Sequence, residues 1–169
     1  MTTARTALVF SIVAVALSAA SYFHGRPAAP PSDKVTTEDE RAGYLPGLGE
    51  IMTQQQMRHA KLALAGAAGN WDLAAYELEE LGEGFDDIVT FHPIHKNIKQ
   101  SLTELVPQFT KAPVESLEEA IKAKDMDKFN TAFDAVTAGC NACHQATEFG
   151  FNVVIRPANS PFPNQQFAP

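Results

Sequence analysis

The sequence predicts an all-α fold: an antiparallel four-helix bundle with a C-x-x-C-H motif near the end of its last helix and an extended C-terminal tail. Three observations predict it. From Leu45 onward apolar residues recur in steps of three and four, β-branched alternation is absent until the tail, and "GAAGN" and "FHPIH" interrupt the pattern as turns. With 169 residues, 45% hydrophobic and 20% charged, the chain can bury one sizeable core and leaves little for a second domain.

At the N-terminus Arg5 precedes the apolar run "ALVFSIVAVALSAA", which no acidic residue interrupts. Residues 1–20 therefore read as an export signal with small residues at its end. Extended to Phe23, the run reaches about 17 apolar residues, the lower limit of an uncleaved anchor. Residues 21–44, rich in proline and polar side chains, read as a linker. Either form puts the remaining chain outside the cytoplasmic membrane, in the periplasm, soluble or tethered through residues 7–23.

The four-helix-bundle domain is expected over residues 45–148. Helix one can start at Pro46 and carries the seam Leu48, Met52, Gln55, His59 and Leu62. Helix two follows Asn70 as N-cap, with Ala74, Leu78, Leu81, Phe85 and Ile88 on its seam. A third helical region is expected to carry Ile94, Ile98, Leu102 and Leu105, then Val114, Leu117 and Ile121, kinked or broken at Pro107 and Pro113. Helix four starts near Asp125, and its seam runs Met126, Phe129, Phe133, Val136, Cys140 and Cys143.

Cys140, Cys143 and His144 supply the chemistry. Thiols three apart on a helix can each reach one vinyl group of a haem, and His144, four after Cys140, lies on the same side to bind iron. A thioredoxin-like pair would want a preceding strand and a βαβ context, and zinc would want a second ligand pair. A disulfide across so short a loop would stabilise little. One covalently attached haem c is the expectation.

A four-helix bundle with "CNACH" near the end of its last helix resembles the class II cytochromes c, the group of cytochromes c-prime and their methionine-ligated relatives. The resemblance implies a periplasmic haem protein with His144 as proximal iron ligand and helix one facing the other side of the haem. Two features depart from that family: a short link between helices one and two, and about 20 residues after the motif.

The sixth iron position separates an electron carrier from a gas binder. Counting heights along antiparallel helices at about 1.5 Å per residue puts Met52 nearest the level of His144. His59 is the alternative, His92 and His95 come after it, and an open site remains a separate outcome. Against these stand plainer roles: Met52 as a core methionine, His59 and Gln55 as a hydrogen-bonded polar patch, and His92 and His95 as solvated loop residues.

The tail, residues 149–169, alternates Phe149, Phe151, Val153 and Ile155 at period two, so it is expected to be extended and to fold back over a bundle groove or a haem edge. Arg156 would pair with a haem propionate or remain a surface charge. Trp71, Tyr76 and the acidic run Glu77, Glu79, Glu80 and Glu83 read as packing and a solvated face.

The net charge of −7 disfavours nucleic acid and anionic membrane surfaces and suits basic redox partner proteins. A homodimer is an open expectation. No nucleophile with a base, phosphate loop or paired carboxylates points to an enzyme. The expected function is single-electron transfer by a mono-haem cytochrome. The rival readings are a five-coordinate nitric oxide or carbon monoxide binder and a haem subunit of a membrane-bound redox complex.

Overall fold

The computed structural model describes residues 43–169, so the expected export segment or anchor and the linker as far as residue 42 lie outside the described residues. Leu45–Pro169 form one compact unit, tail included. Its helices are α1 (Leu48–Ala67), α2 (Trp71–Phe91), α3 (Leu102–Lys122) and α4 (Met126–Ala146). No strand occurs among the described residues, and none of their helices is long and apolar enough to cross a membrane.

Two of the three links are only three residues long because each does two jobs. After α1, Gly69 adopts φ 68° and Asn70 N–H donates to the Ala65 carbonyl at 3.0 Å, while the Asn70 side chain accepts from Leu73 N. After α3, Lys124 at φ 52° and the Asp125 N–H bond to Ala120 repeat the motif, and the Asp125 carboxylate caps Lys128 N. The left-handed residue ends one helix and its neighbour caps the next, so consecutive helices must run antiparallel.

The third helical region differs from expectation. Residues 92–101 form turns and bends, Ile94 is 79% exposed, and α3 begins only at Leu102, where the Ser101 hydroxyl accepts from Thr103 N. The apolar spacing at Ile94 and Ile98 lacked the hydrogen-bonding ladder, because Pro93 and the Ser101 cap commit the chain to a turn first. From Leu102 the helix runs unbroken through both prolines. Helix α1 likewise starts at Leu48 rather than Pro46, whose carbonyl instead accepts a bond from His92 Nε2 at 2.8 Å.

Pro113 leaves the Phe109 carbonyl without its helical donor, and α4 packs against it through Gly139, where a Cβ would lie 2.3 Å from that oxygen. Gly139→Ala should therefore lose about 1–3 kcal/mol in urea unfolding despite the better helix propensity of alanine, since a backbone carbonyl cannot rotate away.

Helix α1 packs on α2, α2 on α3 and α3 on α4, whereas α1 and α4 touch sparsely. The core falls into two clusters. One centres on Leu62, Leu81, Leu117, Phe129, Phe133 and Val136; the other, at the opposite end, contains Ile51, Ile88, Leu102, Leu105, Val106 and Cys143. The thinly bridged α1/α4 seam beside the second cluster is where the bundle stays open.

Candidate functional site

Two contacts fix the register of α1 against α4. A Cβ on Gly66 would lie 2.0 Å from the Phe129 ring, and His59 Nε2 lies 2.8 Å from Thr137 Oγ1. The number on one helix falls as the other rises, as antiparallel packing requires. Met52 is seven residues before His59, and His144 is seven after Thr137; both steps climb about 10 Å toward the same end. Met52 and His144 thus stand at one level, while His59 stands at the level of Thr137, about 10 Å away along the axis.

Between those helices lies a cleft of two lobes, of about 270 and 240 Å³, which share Met52, Val106, Cys143 and His144 in their walls. Together they fall within the roughly 300–1,000 Å³ of small-molecule and cofactor sites. Cys140 and His59 line the first lobe, and His95 lines the second. The remaining wall is largely apolar, from Phe85, Ile88, Leu102 and the tail residues Val153 and Ile155.

Both cysteines are free thiols. Burial, with a smaller contribution from Cys143, pushes the Cys140 thiol up to about 11, and burial also raises Cys143. Redox C-x-x-C pairs have a thiol lowered toward neutrality, the opposite direction from the one burial gives these two. Among the described residues no group of three or more His, Cys, Asp or Glu side chains forms a metal-ligand set.

His144 Nδ1 lies 2.6 Å from the backbone carbonyl of Asn152. A carbonyl only accepts, so the ring proton sits on Nδ1 and the lone pair of Nε2 is left for a ligand. The groups placed to hold a cofactor are therefore the two thiols and His144 Nε2, with the Met52 thioether level with them.

Among the described residues, the other histidines each have a hydrogen-bond partner in the chain. Thr137 Oγ1 donates its proton to the Phe133 carbonyl at 3.0 Å and so must accept from His59 Nε2–H, and the His59 ring lies 4.5 Å from the Phe133 ring. The buried Gln55, in the wall of the first lobe, donates to the Leu81 carbonyl at 2.8 Å, in space left by Gly84. His92 holds Pro46, and His95 Nδ1 accepts from Asn97 N at 3.4 Å.

His59 also sets a pH dependence. Burial, aided by Arg156, lowers it from 6.5 to about 4. Between those values the unfolded chain binds the proton and the folded chain does not, so stability is full above about pH 6.5 and falls as pH drops toward 4, by up to about 3 kcal/mol. Urea midpoints across pH 4–7 should show this slope, and His59→Gln should flatten it.

The tail corrects one expectation and refines another. It is extended and folds back along α4, but of its period-two apolar residues only Phe149 is half-buried, in the wall of the second lobe, while Phe151, Val153 and Ile155 are 82%, 62% and 73% exposed. Even-numbered positions meet α4 instead, through Asn152, Val154 and Arg156. Val153 and Ile155 form an apolar lip of the first lobe. Arg156 bonds Asp134 at 2.8 Å and Asn130, and lies 4.4 Å from the Phe133 ring centroid.

Glu77 is likewise not part of a solvated face; its side chain is 1% exposed and pairs with Arg58 at 3.2 Å and Lys61 at 4.0 Å. Sequence reasoning also missed Thr137, Asn141 and Asn152. Asn141 sits inside the motif, but nothing in the spacing announces a partner thirteen residues later. No protein-family model, curated protein or solved structure matches the chain in comparison.

Proposed function

We propose that this protein is a mono-haem c-type cytochrome of four-helix-bundle type that passes single electrons between partner proteins in the periplasm. In this reading Cys140 and Cys143 would hold the haem by thioethers, and His144 Nε2 and the Met52 thioether would bind its iron. The observation that carries it is the shared level of Met52 and His144 across a cleft lined by both thiols. Bound haem supplies a one-electron iron couple whose potential follows the axial ligands and their surroundings.

The rest falls to the chain. His144 keeps its proton on Nδ1, toward Asn152, so Nε2 stays a neutral ligand. Met52 offers an uncharged thioether, which favours the reduced state and a higher potential. Val106, Ile88 and the tail lip give the cleft an apolar wall, and four packed helices would hold the ligands while charge changes, so little rearrangement accompanies transfer. His59, bonded to Thr137 about 10 Å lower, serves as a wall.

The test is the mass of the denatured protein, purified from a host that attaches haem c, together with its visible spectrum. One haem retained after denaturation, lost in Cys140→Ala/Cys143→Ala, and low-spin bands are expected. A chain that leaves that host without haem overturns the reading. High-spin bands that shift at once with carbon monoxide would replace it with a gas-binding protein in which Met52 is wall.

A further inference from the structure

Beyond α4 the chain continues and lies back along that helix in a definite register. Helix α4 ends in a Schellman turn: Glu148 takes φ 66°, Phe149 N–H donates to the His144 carbonyl at 2.8 Å, and Glu148 N–H to Gln145 at 3.3 Å. The reversal carries Asn152 to His144, whose Nδ1–H it accepts at 2.6 Å. Two residues on, the Asn141 side chain grips Val154 from both sides, donating to its carbonyl and accepting its N–H, each at 2.8 Å. Two further on, Arg156 reaches Asp134 and Asn130.

These rungs pair every second tail residue with side chains spaced along one face of α4. Asn141 mimics a neighbouring strand, satisfying both backbone groups of Val154 where no strand exists. Residues 152–156 thus form a strap whose central fastener lies within the C-x-x-C-H motif itself.

We propose that Asn141 is a positioning residue: by clamping Val154 it holds the Asn152 carbonyl on His144 Nδ1, and so fixes the proton position and ring orientation of the proposed iron ligand. A partly exposed imidazole without this bond would share its proton with water and turn about its χ angles. The inference rests on the haem reading for its purpose, but the strap is a property of the chain and is measured apart from haem.

The test follows solvent exchange of the His144 Nδ1 proton by ¹⁵N-edited NMR in the reduced full-length protein, with haem content measured on the same sample. In the parent the proton should sit on Nδ1 and exchange slowly. Asn141→Ala should exchange it about tenfold faster or more, because two bonds to Val154 are lost together. Val154→Pro removes one clamped N–H from the tail without touching the bundle, and keeps the test sound should Asn141→Ala fold poorly; it should act in the same direction. Asn141→Asp, which still accepts from Val154 N–H but sets a carboxylate against its carbonyl, should fall between parent and alanine variant. A parent Nδ1 proton exchanging as in free imidazole, or one equally protected in Val154→Pro, would overturn the strap whatever the haem content. Protected exchange in a chain without haem would support the strap and overturn the cytochrome reading.

Discussion

In the proposed cytochrome, Met52→Ala should convert a reduced protein that ignores carbon monoxide into one that binds it promptly, with the haem still attached. The thioether is the group on α1 level with His144, and alanine cannot reach the iron. If the iron–thioether bond closes the site by about 3 kcal/mol, binding should quicken about a hundredfold. The reduced spectrum should change from low to high spin, and the potential should fall with the loss of a ligand that favours reduced iron. His59→Gln should leave the carbon monoxide response unchanged, because His59 stands about 10 Å lower, at Thr137. A Met52→Ala protein with the parent's spectrum would remove Met52 from the iron, and prompt binding confined to His59→Gln would shift the ligand to His59.

Arg58→Met should destabilise the bundle by about 3 kcal/mol, more than Glu77→Gln at about 1 kcal/mol. The two partners are unequally buried: the Glu77 side chain is 1% exposed and the Arg58 side chain 24%. Removing the arginine strands a buried carboxylate with only Lys61, 4.0 Å away, whereas removing the carboxylate frees a guanidinium that can turn to water and to Glu80. The double variant Arg58→Met/Glu77→Met should recover most of the loss, since apolar side chains of similar volume suit a buried site at least as well. Urea unfolding at pH 7 measures all three. Equal losses in the two single variants would mean that water reaches Glu77 freely.

Local signals carried most of the fold. Asn70 was legible as a cap because N-capping is a property of a few neighbouring residues, the start of α4 near Asp125 was legible as well, and the seams of α1, α2 and α4 follow from helical period alone. Ile94 and Ile98 misled because spacing reports where apolar groups would fall on a helix, not whether one forms; Pro93 and Ser101 decided otherwise. The tail misled in a similar way. Its period of two was real, but the backbone of its even residues found partners on α4, which left Phe151, Val153 and Ile155 outward, the last two as a lip of the cleft.

What the sequence determined by itself was a helical chain with two thiols and an imidazole on one turn, because spacing along a helix fixes which side chains share a face. What only the tertiary structure decided was everything set by contact between distant segments. That His59 is held by Thr137, that Glu77 is buried under Arg58, and that Asn141 holds the tail so that Asn152 can hold His144 all depend on register between helices. Register comes from how a glycine admits a phenylalanine ring or a carbonyl, as at Gly66 and Gly139, and such fit is a relation between surfaces that neither segment encodes alone.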